Sequence, residues 1–214
     1  MPTNTPNDLI AGLAADLHPV RPMRARTGLA LVAAAVGITV GTVLAVAGLA
    51  PSVASGRFSS NLALANGLLL MLGIAAAVAT VAMASPRVGA KYDGPKWAAA
   101  MAAIFPLAGA VLLYQGSGTS AVIEARQGWE CALSGTAAAT LIAGVLVAWL
   151  RRGAPVALTR AGTWLGVAAG ALGSAAYGLS CPYEPVQHLG IWHFLPVVIC
   201  GAAGAGLVPK LVRW

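Results

Sequence analysis

The sequence predicts an all-α polytopic membrane protein with six transmembrane helices and both termini in the cytoplasm. Three observations carry this. The 214-residue chain is 58% apolar and only 9% charged, far from the balance of a soluble domain. It contains six nearly uncharged stretches of 18 residues or more, each able to cross about 30 Å of hydrocarbon as a helix. Eleven of its 13 Lys and Arg residues then fall on one side of the resulting topology.

Residues 1–27 form a cytoplasmic tail ahead of a six-helix transmembrane sensor domain, 28–214. The tail mixes acidic and apolar residues in helical spacing, unlike the short basic start of a signal peptide, so it is expected to be retained. From Asn7 to Leu17 it reads as a short amphipathic helix, with Leu9, Leu13 and Leu17 four apart on one face and Ile10 beside them. Asn7 is the expected N-cap, Asp8 complements the helix dipole, and His18-Pro19 stops the helix. Eleven residues are too few for stability alone in water. The polar face offers Asp8 and Asp16, where a lipid-surface helix would carry Lys or Arg, so a groove on a basic protein partner is the expected seat.

The spans run from Gly28 to Ala50, Leu62 to Ala84, Trp97 to Tyr114, Ala132 to Leu150, Ala161 to Ser180 and Gly190 to Val208. An even number puts both termini on one side. The basic residues within 21–26, 87–96, 151–160 and 210–213 lie there, with Arg57 and Arg126 opposite, and such an excess marks the cytoplasm. The net charge of +7 thus reports topology, and no direct nucleic-acid binding is expected. Tyr92, Trp97, Trp149, Trp164 and Trp214 fall at inner ends; Tyr114, Trp129, Tyr177, Tyr183 and Trp192 fall at outer ends, where such rings sit half in water.

Pro106 and Pro196 are expected to kink the third and sixth spans. The fifth carries Gly162, Gly166, Gly170, Ser174 and Gly178, a stripe that admits a neighbouring backbone. Asn61 and Asn66 are expected to hydrogen-bond between helices. No span interior holds Asp, Glu, Lys or Arg, which argues against proton-coupled transport or pumping; passage of a small uncharged solute stays open.

Chemistry gathers in the outer loops. Residues 115–130 bring Glu124, Arg126, Trp129 and Glu130 up to Cys131, while Pro182, Tyr183, Glu184 and His188 follow Cys181. The short link between spans four and five makes them antiparallel neighbours, which sets Cys131 and Cys181 at adjacent outer ends. Three readings remain open: a permanent disulfide staple, a dithiol–disulfide switch, and capture of a soft metal ion with His188, His193 or Glu130 completing the shell. There is no Cys-x-x-Cys and no His-x-x-x-His. His193, about one turn inside the sixth span, is expected to face the outer rim, and Cys200 to be an ordinary buried thiol. No obligatory cofactor is expected; a transient soft metal ion at the outer cysteines is the candidate ligand.

The tail Asp8-Leu9-Ile10 to Leu13, then Asp16-Leu17-His18-Pro19-Val20-Arg21-Pro22, followed by six spans with Cys131 after the third, Cys181-Pro182 after the fifth and Trp192-His193 opening the sixth, resembles the NrsF family. These are six-span anti-sigma factors of the bacterial inner membrane. The resemblance implies that Asp8, Leu9, Ile10, Leu13, Leu17 and Pro19 hold an extracytoplasmic-function sigma factor. It also implies that Cys131 and Cys181 sense heavy-metal or oxidative stress in the periplasm and release that factor. His188, His193 and Glu130 as auxiliary ligands come from the loop reading alone. A membrane thiol oxidoreductase is the enzymatic alternative, but it needs a closely spaced redox pair and a second pair, and this chain has three cysteines. No enzymatic activity is expected.

Overall fold

A computed structural model describes residues 5–16, 23–87, 89–115 and 121–212, for 121–125 without their side chains; among the described residues every regular element is a helix. Helix α1 (Pro6–Ala15) starts at Thr5, which corrects the expected cap at Asn7. The Asp8 carboxylate accepts from the Thr5 amide at 3.0 Å and from its hydroxyl at 2.6 Å, and the Thr5 hydroxyl oxygen accepts from the Asp8 amide. Thr5 and Asp8 have the spacing of a capping box, and Pro6 at the first helical position has no amide to satisfy. These bonds hold the Asp8 carboxyl below the usual carboxylate range. Leu9, Ile10 and Leu13 are all at least 60% exposed. Leu17, His18 and Pro19 lie outside the described residues.

Helix α2 (Ala25–Ala47) begins three residues ahead of the expected span and ends at Gly48, whose φ of +72° suits a residue without Cβ. After the single turn α3 (Pro51–Ala54) comes α4 (Ser60–Met83), capped by Ser59, whose hydroxyl accepts from the Leu62 amide at 3.2 Å. The third apolar stretch is broken into α5 (Gly94–Ala102) and α6 (Ile104–Tyr114). Helix α7 (Ala121–Arg151) is 31 residues long, about 46 Å at 1.5 Å per residue. It starts well before Ala132, so much of the expected outer loop is helix. Helix α8 (Leu158–Gly178) follows, then α9 (Val186–Trp192) and α10 (Leu195–Leu211).

Both expected kinks are present, and both have the same cause. A proline ring collides with the carbonyl four residues back and offers it no amide. Helix α5 ends at Ala102, four before Pro106, and α9 ends at Trp192, four before Pro196.

Among the described residues, five segments are long and apolar enough to cross a membrane: Ala25–Ala47, Ser60–Met83, Gly94–Tyr114, Arg126–Arg151 and Val186–Leu211. Helix α8, the counterpart of the expected fifth span, has the length, 21 residues, but its glycines and serine lower its apolarity. Those same residues place it at the centre, packed on α10, α4 and α7. A Cβ on Gly162, Gly166 or Gly170 would strike the carbonyls of Gly204, Cys200 or Pro196, and one on Gly173 would strike the backbone of Ala139. The stripe therefore does let a neighbouring backbone approach, the role expected of it.

The asparagines divide. Asn61 donates to the Glu184 carbonyl at 3.4 Å, a bond from α4 to the link ahead of α9 and not from helix to helix as expected. Asn66 packs on Gly178 with its buried Oδ1 lacking a partner among the described residues, against expectation.

Candidate functional site

Four side chains from three parts of the fold meet at the end of α8 remote from Arg160. Cys131 comes from α7, Cys181 from the turn after α8, and both histidines from the α9 segment, His188 within α9 and His193 at the break that ends it. All four are buried, none more than 4% exposed. Their ligand atoms all lie within 4.8 Å of one another. The two Sγ atoms are 3.7 Å apart, and Cys181 Sγ is 3.6 Å from His188 Nε2.

Local structure explains how each arrives. The end of α8 is anchored by the link between α2 and α4: Ala50 donates to the Leu179 carbonyl at 3.0 Å and Ser180 to the Gly48 carbonyl at 2.6 Å. The chain then turns at Cys181-Pro182. The break ahead of Pro196 leaves the His193 carbonyl without its helical partner, because the Val197 amide donates instead to Phe194 at 3.1 Å. The Ser174 hydroxyl donates to that carbonyl at 2.6 Å, in the position where the α8 stripe changes from glycine to serine. The proline thus turns His193 into the bundle, which corrects the expectation that it faces the outer rim.

Aromatic rings close the site. Tyr183 lies 5.1 Å from His188 and Tyr177 lies 6.3 Å from His193, centroid to centroid. Gly128 gives Trp192 room beside α7, where it meets Trp129 at 5.4 Å. Sequence reasoning noted these rings as interfacial and missed them as walls; their clustering near the cysteines and histidines was the available signal.

Three features set the chemistry. First, the sulfurs are free thiols, separated by far more than the roughly 2.05 Å of a disulfide. Second, the hydrogen bond shared with Cys131 holds the Cys181 thiol below its ordinary value, against the opposing effect of burial. Third, both ring nitrogens of His193 are buried without a hydrogen-bond partner among the described residues, an arrangement that is costly unless something else takes them.

A tetrahedral ion with bonds of about 2.3 Å to sulfur and 2.0–2.1 Å to nitrogen would hold its ligand atoms roughly 3.3–3.8 Å apart. The 3.7 Å sulfur–sulfur and 3.6 Å sulfur–nitrogen separations match the corresponding edges of such a site. Glu130, offered by the sequence as a further ligand, does not belong to it. Its side chain is 68% exposed and faces Arg126 at 3.9 Å, one helical turn away.

The family described as NrsF, negative regulator of sigma F, matches residues 13–214. The match includes Leu13 and the whole cysteine–histidine cluster; Asp8, Leu9 and Ile10 precede it. No curated protein and no solved structure matches the chain.

Proposed function

This chain belongs to the NrsF family and is a negative regulator of a sigma factor; from that premise we propose that it is an inner-membrane sensor which holds an extracytoplasmic-function sigma factor until its buried thiols are engaged. The observation that carries the reading is the convergence of Cys131, Cys181, His188 and His193 within 4.8 Å. In the proposed topology α8 also crosses the membrane, as the fifth of six spans, both termini are cytoplasmic, and the cluster lies at the periplasmic end. A multi-pass anti-sigma factor of this kind needs no enzymatic activity.

The apolar face of α1 supports the tail as the sigma-binding element. Leu9, Ile10 and Leu13 stand exposed, and a ten-residue helix is marginal in water without a partner. In the proposed complex these residues, with Leu17 and Pro19, enter a groove of the sigma factor, and Asp8 supports them by capping the helix.

At the other end, the thiols lose their protons to bind a soft or borderline cation such as Cd²⁺ or Zn²⁺, and the two imidazoles offer their lone pairs. Such an ion draws together α7, the turn after α8, and the α9–α10 break, three segments packed around the central helix. Each tenfold fall in sigma affinity requires about 1.4 kcal/mol of difference between the two packings. A second reading is favoured by the 3.7 Å sulfur contact: peroxide accepts two electrons and two protons from the thiols, which become a disulfide. The histidines separate the two readings, because oxidation does not require them.

The test is retention of the sigma factor on membranes carrying the full-length protein. Cd²⁺ is expected to release it from the wild type but not from Cys131→Ser or His193→Ala, while peroxide still releases it from His193→Ala. Release by Cd²⁺ from the cysteine variant would sink the proposal.

A further inference from the structure

At the end of the bundle remote from the thiols, the links on either side of residues 90 and 155 enclose a cavity of about 470 Å³, a volume typical of small-molecule sites. Its lining combines Arg87, Lys91, Lys96 and Arg160 with the apolar Met83 and Val156. Among the described residues Asp93 is the carboxylate that lines it, and Asp93 is already engaged: it accepts from Lys96 Nζ at 2.9 Å. That bond, with Lys91 and Arg160 adding to it, holds the Asp93 carboxyl below the usual range. Arg87, Lys91 and Arg160 have no ion-pair partner among the described residues.

We propose that this cavity binds the phosphate-bearing headgroup of an anionic phospholipid. Four cations line a concave surface against one carboxylate, Asp93, which Lys96 already engages, and guanidinium groups match phosphate oxygens in paired hydrogen bonds. The setting favours a lipid as the source. The cavity lies at the ends of α4, α5 and α8, beside Tyr92 and close to Trp97, which is 73% exposed at the start of α5. Such rings mark the membrane–water boundary, and basic pockets between membrane helices at that level take acidic headgroups. The apolar wall residues give the start of an acyl chain somewhere to lie. This inference stands apart from the thiol site and from the tail.

The test uses the full chain purified in neutral detergent, with lipid binding followed by native mass spectrometry and by thermal unfolding. Cardiolipin or phosphatidylglycerol is expected to bind and to raise the unfolding temperature, whereas phosphatidylcholine does neither. The double variant Arg87→Gln/Arg160→Gln is expected to lose about 10-fold or more in affinity, and Arg87→Lys/Arg160→Lys to lose less, because it keeps the charges but not the paired hydrogen bonds. Both side chains are exposed, so the fold should survive either change. Unchanged binding in the glutamine variant, or equal binding of phosphatidylcholine, overturns the proposal. Inorganic phosphate stabilising the protein as well as the lipids do also overturns it, in favour of a free-phosphate site.

Discussion

Cys181 has a thiol neighbour, an imidazole and a carbonyl within 3.7 Å of its sulfur, and its titration should reveal which of them matters. Because Cys131 is the largest influence lowering its proton affinity, alkylation of Cys181 should begin at lower pH than for an ordinary thiol near 8.5. In Cys131→Ala the largest lowering influence is lost while burial still opposes ionisation, so the midpoint is expected to move upward; a midpoint that stays put, read by mass spectrometry of the alkylated peptide, would remove the hydrogen bond from the account. Metal binding is the companion prediction. One Cd²⁺ per chain is expected, with loss of at least about 100-fold in affinity on Cys131→Ser or His193→Ala and no change on Glu130→Gln. A Glu130 effect equal to the cysteine effect, measured by competition with a chelator, would put the site elsewhere. The sequence made Cys131, Cys181 and His188 legible because their positions follow from span ends. It did not reveal the burial of His193, since that depends on where a proline-broken helix turns, nor the outward direction of Glu130, since one helical position decides it.

Helices α8 and α10 touch through backbone, so their contact should be intolerant of added volume. Gly166→Val would drive its side chain into the Cys200 carbonyl, and a loss of several kcal/mol is expected from strain at a packed interface. The readout is the amount of folded protein recovered from membranes, with Gly37→Val as the control because nothing lies within 4 Å there. Equal recovery of the two variants would mean that the bundle packs differently. Helix α1 carries the opposite expectation: Leu13→Ala should leave abundance alone and weaken sigma binding by about 10-fold or more, the scale of one buried leucine. Unchanged affinity in a binding titration would move the interface off this face. Periodic signals were legible in advance, including the glycine stripe, the leucine spacing and the two prolines. The cap at Thr5 and the early start of α7 were not. Several residues near Asn7 suit a cap, and charged residues beyond an apolar run can extend a helix as readily as end it.

Across the whole molecule the cysteine cluster and the basic links lie at opposite ends of α8, so the orientation of this one helix decides the topology. Cysteines introduced at Arg152 and Glu184, in a background without the native three, are expected to react with an impermeant maleimide from opposite sides of the membrane. Reaction from one side only would remove α8 as a span and put the termini apart. Composition and charge bias made a membrane bundle legible. They could not show that its most glycine-rich helix is its centre, because apolarity falls there for the same reason that packing improves. The central claim joins that end of the bundle to the tail, and transcription reports on both together. Output of the cognate sigma-dependent promoter should be measured in cells carrying Cys131→Ser or Cys181→Ser, with and without Cd²⁺ or peroxide, alongside membrane abundance. The account predicts unchanged abundance with output locked low in both conditions; induction equal to wild type, or output that merely tracks a fall in abundance, would contradict it.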